Sequence, residues 1–255
     1  MNVEKITSTQ NPLIRRMKAL KDAKSRNETG LFLVEGEVMI KEALKCGLTP
    51  SEALFEDETP LSAEMRSLCK VYLTSRSALE AVCDTKTPQG SVCAFTMPKT
   101  SAVNKNALRI IALDGVQDPG NVGTIWRTAD AAGFDFILFG TGCADPYSPK
   151  VQRAAMGSGF RVPIAQGSLT EILPEYLKGG ASLISSALDG DNLYERKPIP
   201  KDKPMILVIG NEAKGVSKEV QALSNVRLKI PMRGGAESLN AAIAAGILMY
   251  ELTRE

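Results

Sequence analysis

The chain contains no histidine. That removes the commonest general base at neutral pH and every Ser-His-Asp or Cys-His reading of catalysis. Paired cysteines are missing as well. Cys46, Cys69, Cys83, Cys93 and Cys143 form no CxxC, so a zinc site of the usual Cys/His kind, or any metal, is not expected. Scattered, odd-numbered cysteines fit a reducing cytoplasm. Long apolar runs are absent too. The longest, 241–250, is about half of what a spanning helix needs, and the polar N-terminus shows no signal-peptide pattern. A soluble, cytoplasmic protein without membrane contact is expected. Nor is there an excess of one charge. The net +2 does not announce a nucleic-acid binder, so the local distribution of charge must carry that argument.

What remains is 255 residues, 44% of them hydrophobic, enough to bury one large domain or two small ones. The chain opens with a helix signal. Asn11 can cap, Pro12 suits the first helical position, and Leu13, Met17 and Leu20 recur at helical spacing. The other face carries Arg15, Arg16, Lys18, Lys21 and Lys24, with Arg26 beyond. This is either a solvated helix face or a ridge that contacts phosphates. Apolar strands at 31–34, 71–73 and 91–95 alternate with helices at 38–45 and 77–83, giving a small α/β unit over 1–97. Residues 98–107 are polar, hold Pro98 and lack apolar period, which reads as a linker.

Beyond it, from 108 to 255, short continuous apolar runs recur at 110–113, 136–139, 182–185, 206–209 and 226–230. Such runs suit parallel strands buried on both faces. Helices fit at 122–132, 169–177 and 216–223, and a final one at 238–252 is apolar on almost every side, so it should pack on more than one face.

Three segments of this half could do chemistry. In the first, a strand ends at Asp114-Gly115, Asp118-Pro119-Gly120 reads as a turn, and Asn121 stands at a plausible N-cap with Gly133 as the stop. Arg127 lies less than two turns into that helix, either a surface arginine or a guanidinium held for a phosphate. In the second, a buried strand stops at Gly210-Asn211-Glu212. Glu212 is there a helix-start carboxylate or a group at the ligand edge of the sheet. In the third, Ile230-Pro231-Met232 leads through Gly234-Gly235 to Ser238-Leu239-Asn240 at the mouth of the last helix. Its glycines allow backbone to approach a ligand, and the helix start offers free N–H groups. One loop misleads: 140–145 nearly matches GxGxxG, but Asp145 replaces the third glycine and Pro146 signals a turn.

Taken together, LDGVQDPGNVGTIWRTADAAGF, VIGNEAKGV and IPMRGGAESLNAAIAAGI resemble the three motifs of the SpoU/TrmH RNA ribose methyltransferases of the SPOUT superfamily, and SPKVQRAAMG resembles a further segment common there. ITSTQNPLIRRMKAL, FLVEGEVMIKEAL and TPQGSVCAF are similar to the ribosomal-protein-like α/β substrate-binding domain of the rRNA-type branch. The resemblance implies a parallel sheet with helices on both faces and a deep C-terminal trefoil knot, a topology rare enough that periodicity could not reveal it. It implies a homodimer with the last helix at or near the interface, and S-adenosylmethionine held largely by backbone at Gly210, Ile230 and Leu239. It places Arg127 and Asn121 as the catalytic pair, with Glu212, Ser238 and Asn240 at the other polar positions. Glu212 would orient its neighbours or take a proton. Arg15, Arg16 and Lys18 would meet RNA, expected to be ribosomal. The rival readings are a non-catalytic RNA-binding or ribosome-assembly protein that keeps the fold, a tRNA 2′-O-methyltransferase, and a nucleotide-binding oxidoreductase.

Overall fold

The computed structural model describes residues 3–99, 104, 106–200 and 202–254. They form two compact units, Met1–Lys99 with Asp145–Phe160, and Thr100–Ala144 with Arg161–Glu255. Half of the linker expected at 98–107, residues 100–103 and 105, lies outside the described residues.

The first unit runs β1 (Lys5–Ile6), α1 (Pro12–Ala19), α2 (Ala23–Thr29), β2 (Leu31–Glu35), α3 (Glu37–Lys45), β3 (Pro50–Phe55), α4 (Pro60–Met65), β4 (Lys70–Thr74), α5 (Arg76–Val82) and β5 (Ser91–Thr96). Its sheet has the order β1-β4-β3-β5-β2, parallel from β1 to β3 and antiparallel beyond. Helix α1 starts as its sequence predicts: the Asn11 side chain accepts from the Leu13 N–H and Pro12 takes the first position. Leu13, Met17 and Leu20 then pack with Leu33, Leu54, Leu79 and Val92 in one core. Strand β3 was not expected, because Pro50, Ser51 and Glu52 precede only three apolar residues.

The second unit begins with β6 (Arg109–Asp114), α6 (Pro119–Ala131) and β7 (Phe136–Gly140). Helix α7 (Pro149–Ala155) and most of α8 (Ser158–Arg161) fall in the stretch that groups with the first unit. The second unit resumes with β8 (Ile164–Gly167), α9 (Leu169–Lys178), β9 (Ser182–Asn192), β10 (Met205–Gly210), α10 (Lys218–Leu223), β11 (Val226–Lys229) and α11 (Ala241–Thr253). Strand β8 escaped the sequence reading because only its first two residues are apolar.

All pairings in the six-stranded order β11-β9-β10-β6-β7-β8 are parallel. Both faces are covered, as the continuous apolar strands require. On one face Ile110, Ala112, Leu138 and Val208 pack with Leu173 and Tyr176 of α9 and Val220 of α10. On the other, Trp126 of α6 meets Phe139 edge to face at 5.4 Å, and α11 packs on α6 and β10. The strands that follow β6 directly extend the sheet to one side, whereas β10 flanks β6 on the other. Winding therefore reverses between β6 and β10. The crevice beyond the carboxyl ends of strands at such a reversal is where open α/β sheets take ligands.

Candidate active site

The last paired residues of β6 and β10 are Asp114 and Gly210, and the polar motif residues hang from the turns that follow. Helix α6 is capped by Asp118, not by Asn121. The Asp118 Oδ1 accepts the Asn121 N–H at 2.8 Å, with Pro119 in the first position. A proline just inside a helix marks the preceding residue as the cap, and here that signal outranks the turn chemistry of Asp-Pro-Gly. Asn121, in the third helical position, is thus spared capping and its amide is free for other partners.

Those partners come from two distant segments. Asn121 Nδ2 donates to Glu212 Oε1 at 3.0 Å, and Asn121 Oδ1 accepts from Asn240 Nδ2 at 2.9 Å. Asn240, in turn, caps α11 by accepting the N–H groups of Ala242 and Ile243. The backbone donors can only donate, so they fix the orientation of the Asn240 amide, which fixes that of Asn121, which ends on the carboxylate. The chain of bonds is directed, running from the positive end of α11 to Glu212. The last helix starts three residues later than expected, at Ala241, since Asn240 and not Ser238 caps it. Ser238 is exposed and makes no hydrogen bond among the described residues.

Glu212 also accepts, more loosely, from the N–H groups of Gln117 (3.4 Å) and Asp118 (3.3 Å). Partial burial pushes its carboxyl upward, but the Asn121 amide and the backbone N–H groups of Glu212, Gln117 and Asp118 together outweigh that and hold it below the usual carboxylate range. A depressed folded value stabilises the fold above the ordinary carboxylate value, and this contribution is lost as pH falls through the folded one. The stability difference between the native chain and Glu212→Gln is therefore expected to shrink on acidification from about pH 6 to 3, read from denaturant midpoints. A difference that stays flat would contradict the assignment.

Arg127 is not part of this chain of bonds. It is exposed and has no hydrogen bond or ion pair among the described residues. Six residues turn a helix by about 600°, so Arg127 points roughly 120° away from Asn121 and about 9 Å further along the axis. It is free to meet a group from outside.

Beside these residues opens a cavity of about 730 Å3, walled by Gly210, Ile230 and Leu239 together with Ile209, Leu228 and Leu248. Glu212, Ser238 and Asn240 lie on its rim. Gly210 has no space for a side chain: a Cβ there would stand 2.1 Å from the backbone of Gly215 and Val216. The other wall is unusual in its bonding. Among the described residues, 231–239 make no hydrogen bond to one another or to the rest of the protein. Backbone donors and acceptors left open at a cavity wall are available to a ligand.

The GxGxxG-like loop plays a packing part. Gly140 has no room for a Cβ, which would lie 2.6 Å from the Leu113 carbonyl, and no helix opens until α7, capped by Ser148. Cys143 donates its thiol to the Leu113 carbonyl, and burial pushes it up to about 11, too high for a thiolate nucleophile at neutral pH. No described group of three or more Cys, Asp or Glu side chains is placed to hold a metal, and no described helix is long and apolar enough to cross a membrane.

On α1 the basic residues divide. Arg15 and Lys18 are exposed and unpaired among the described residues, whereas Arg16 grips Glu52 with bonds of 2.8, 3.0 and 3.2 Å. Lys21 donates to the carbonyls of Ala81 and Cys83. Arg26, which the sequence places just beyond that basic face, is buried and held by Asp145 and the carbonyls of Leu20 and Lys21.

A family model described as the SpoU rRNA Methylase family matches residues 108–250. The chain belongs to that family. A second model, the MRM3-like substrate binding domain, matches residues 11–93 of this SpoU chain. It is 36% identical over 250 residues to the 23S rRNA (guanosine(2553)-2'-O)-methyltransferase RlmP of Bacillus subtilis, a match covering 98% of the chain and 99% of that protein. It is 30% identical to human mitochondrial rRNA methyltransferase 3, covering 94% of the chain and 71% of the relative. Among solved structures, the AdoMet-bound rRNA methyltransferase from Sinorhizobium meliloti superposes with a TM-score of 0.91 at 31% identity, covering 99% of this chain and 98% of that one. AviRb of Streptomyces viridochromogenes, in complex with AdoMet, gives 0.86 at 26% identity, covering 96% and 98%. The family read from the three motifs is the family found.

Proposed function

We infer that this SpoU-family chain transfers a methyl group from S-adenosylmethionine to a ribose 2′-hydroxyl of RNA, with ribosomal RNA as the substrate class. The observation that carries the reading is the directed chain Asn240–Asn121–Glu212 at the rim of the cavity, where winding of the sheet reverses. The cavity suits the donor. Its volume lies in the range of small-molecule sites, its walls mix apolar side chains such as Ile209, Ile230 and Leu248 with polar ones, and 231–239 offer open backbone groups. Gly210, Ile230 and Leu239 would hold the cofactor, which when bound supplies an electrophilic sulfonium methyl group. Glu212, ionised and already supplied with donors, serves to orient Asn121 and is a poor proton acceptor. Arg127 carries a guanidinium, a planar fork of N–H donors with no acceptor, and acts as a clamp. It grips a substrate phosphate and steadies the charge that grows on the ribose oxygen as its proton passes to that phosphate or to solvent water. The test is incubation with labelled cofactor and unmodified RNA, followed by mapping of ribose methylation. No transfer to any RNA would refute the reading.

The same reading includes a threaded C-terminus. Strand β11 lies beyond β9 and β10, yet Asn240 must reach back to Asn121 on the far side of β10, so the chain crosses the ends of two strands. It also includes a homodimer. Helix α11 buries Ala242, Ala245, Leu248 and Met249 but leaves Ile243 and Tyr250 each 56% exposed, an apolar remainder that a second copy can cover.

For RNA capture we propose Arg15 and Lys18 as the clean phosphate contacts on α1. Replacing Arg16 would also strip Glu52 of its partner and mix stability with affinity. Replacing both Arg15 and Lys18 by Ala should weaken RNA binding and lower the log–log salt slope by about 1.4 to 1.8, with the fold unchanged. An unaltered slope would return the helix face to mere solvation.

A further inference from the structure

We propose that Asn211 is a positioning residue for the reaction: it ties the turn after β10 to the turn after β6 and so sets Glu212 against Asn121. Within its own turn the Asn211 Oδ1 accepts the N–H groups of Ala213 (3.0 Å) and Lys214 (3.1 Å). Its backbone exchanges two bonds with Gly215, at 3.0 and 2.8 Å. Gly210 fits directly against Gly215 and Val216. Residues 210–215 are therefore a closed block, and what matters is how the block is held to its neighbour. Across to 115–121 run two sets of side-chain bonds. Asn211 Nδ2 donates to the Gly115 carbonyl at 2.9 Å, and Glu212 makes its bonds to Gln117, Asp118 and Asn121.

The lengths decide which of these holds the other. The two backbone bonds to Glu212, at 3.4 and 3.3 Å, lie beyond the usual range for N–H···O, and its third partner is itself a side chain that must be placed. The Asn211 bond is of normal length, half-buried, and ends on main chain immediately after β6. Beyond the strand ladder itself, the turn is held by Asn211 at its start and, just past its end, by the Ser217 N–H on the Asp114 carboxylate at 2.7 Å; of the two only Asn211 lies inside the block beside Glu212, which reads out the setting. Two of the three donors to the Glu212 carboxylate, the N–H groups of Gln117 and Asp118, are already near the limit of range, so a small tilt of the block removes them.

The proposal rests on the methyltransferase reading, and its test separates the two. Asn211→Ser leaves a hydroxyl able to accept within the turn but too short to reach Gly115, and Asn211→Asp keeps the acceptor while removing the donor. In both, kcat for methyl transfer should fall roughly threefold to tenfold, the worth of one net hydrogen bond. The Glu212 carboxyl, followed by NMR, should titrate closer to the ordinary carboxylate value than in the native chain. In a Glu212→Gln background, Asn211→Ser should cost almost nothing further, because the residue acts through that carboxylate. Equal losses in both backgrounds, or an unmoved Glu212 titration, would overturn the proposal. So would failure of both variants to fold, which would assign Asn211 to the stability of the turn alone. Absence of transfer by the native chain refutes the function instead, and leaves the Glu212 titration as the test of the positioning.

Discussion

Arg127→Ala is expected to lower methyl transfer at least about 100-fold, the usual scale for losing a charge-stabilising donor, while cofactor affinity stays within a factor of about two. The fold should not suffer. The side chain is exposed and makes no bond among the described residues, so its loss should cost no more than about 0.5 kcal/mol. Few catalytic candidates offer so clean a separation: Asn121 and Glu212 bind each other, and removing either disturbs its partner. Arg127→Lys should rescue little, because an ammonium cannot grip a phosphate through two parallel bonds. Single-turnover transfer alongside calorimetric cofactor titration measures both quantities. Parallel loss of transfer and cofactor binding would place Arg127 at the cofactor instead and sink the clamp.

Gly210→Ala should act in the opposite way, through structure first. Its Cβ would lie 2.1 Å from Gly215 and Val216 main-chain atoms, closer than any real contact. Backbone cannot swing aside as a flexible side chain can, so the block 210–215 must open or β10 must shift. We expect a loss of more than about 3 kcal/mol, hence a fall in Tm of about 6–12 °C for a chain of this size, together with loss of cofactor binding. Gly234→Ala is the control. Nothing lies within 4 Å of a Cβ there, so its stability should be unchanged. Thermal melts with and without S-adenosylmethionine decide the matter, and a Gly210→Ala chain that melts and binds normally is the result that contradicts it.

Much of the candidate site was legible because ligand edges of parallel sheets follow strand ends, and strand ends are local events. The apolar runs at 110–113 and 206–209 stop where β6 and β10 stop, and Asn121 and Glu212 were singled out by standing just beyond them. Caps were legible when one signal acted alone, as at Asn11-Pro12. They were misread when two competed. Asp118-Pro119-Gly120 carries both a turn and a cap, and Ser238 and Asn240 are both good caps two residues apart. Strands β3 and β8 stayed hidden because too few of their residues are apolar to show a period. Arg26 defeated the pattern differently: its spacing fits a basic ridge, but a carboxylate and two carbonyls receive it in the interior.

The sequence by itself determined the two α/β units' main elements, the ends of the central strands, the family, and the residue types from which a site could be made. Tertiary structure decided which of those groups touch. Asn121 meets Glu212 across 91 residues and Asn240 across 119, and nothing in the local spacing ranks those partners above Arg127, six residues away. The reason is physical. Helical and strand periods are set by interactions over a few residues, whereas pairing across a hundred depends on the order in which strands close into a sheet. Only once β10 lies beside β6, and the start of α11 beside α6, does the Asn121 amide have a carboxylate on one side and an amide on the other.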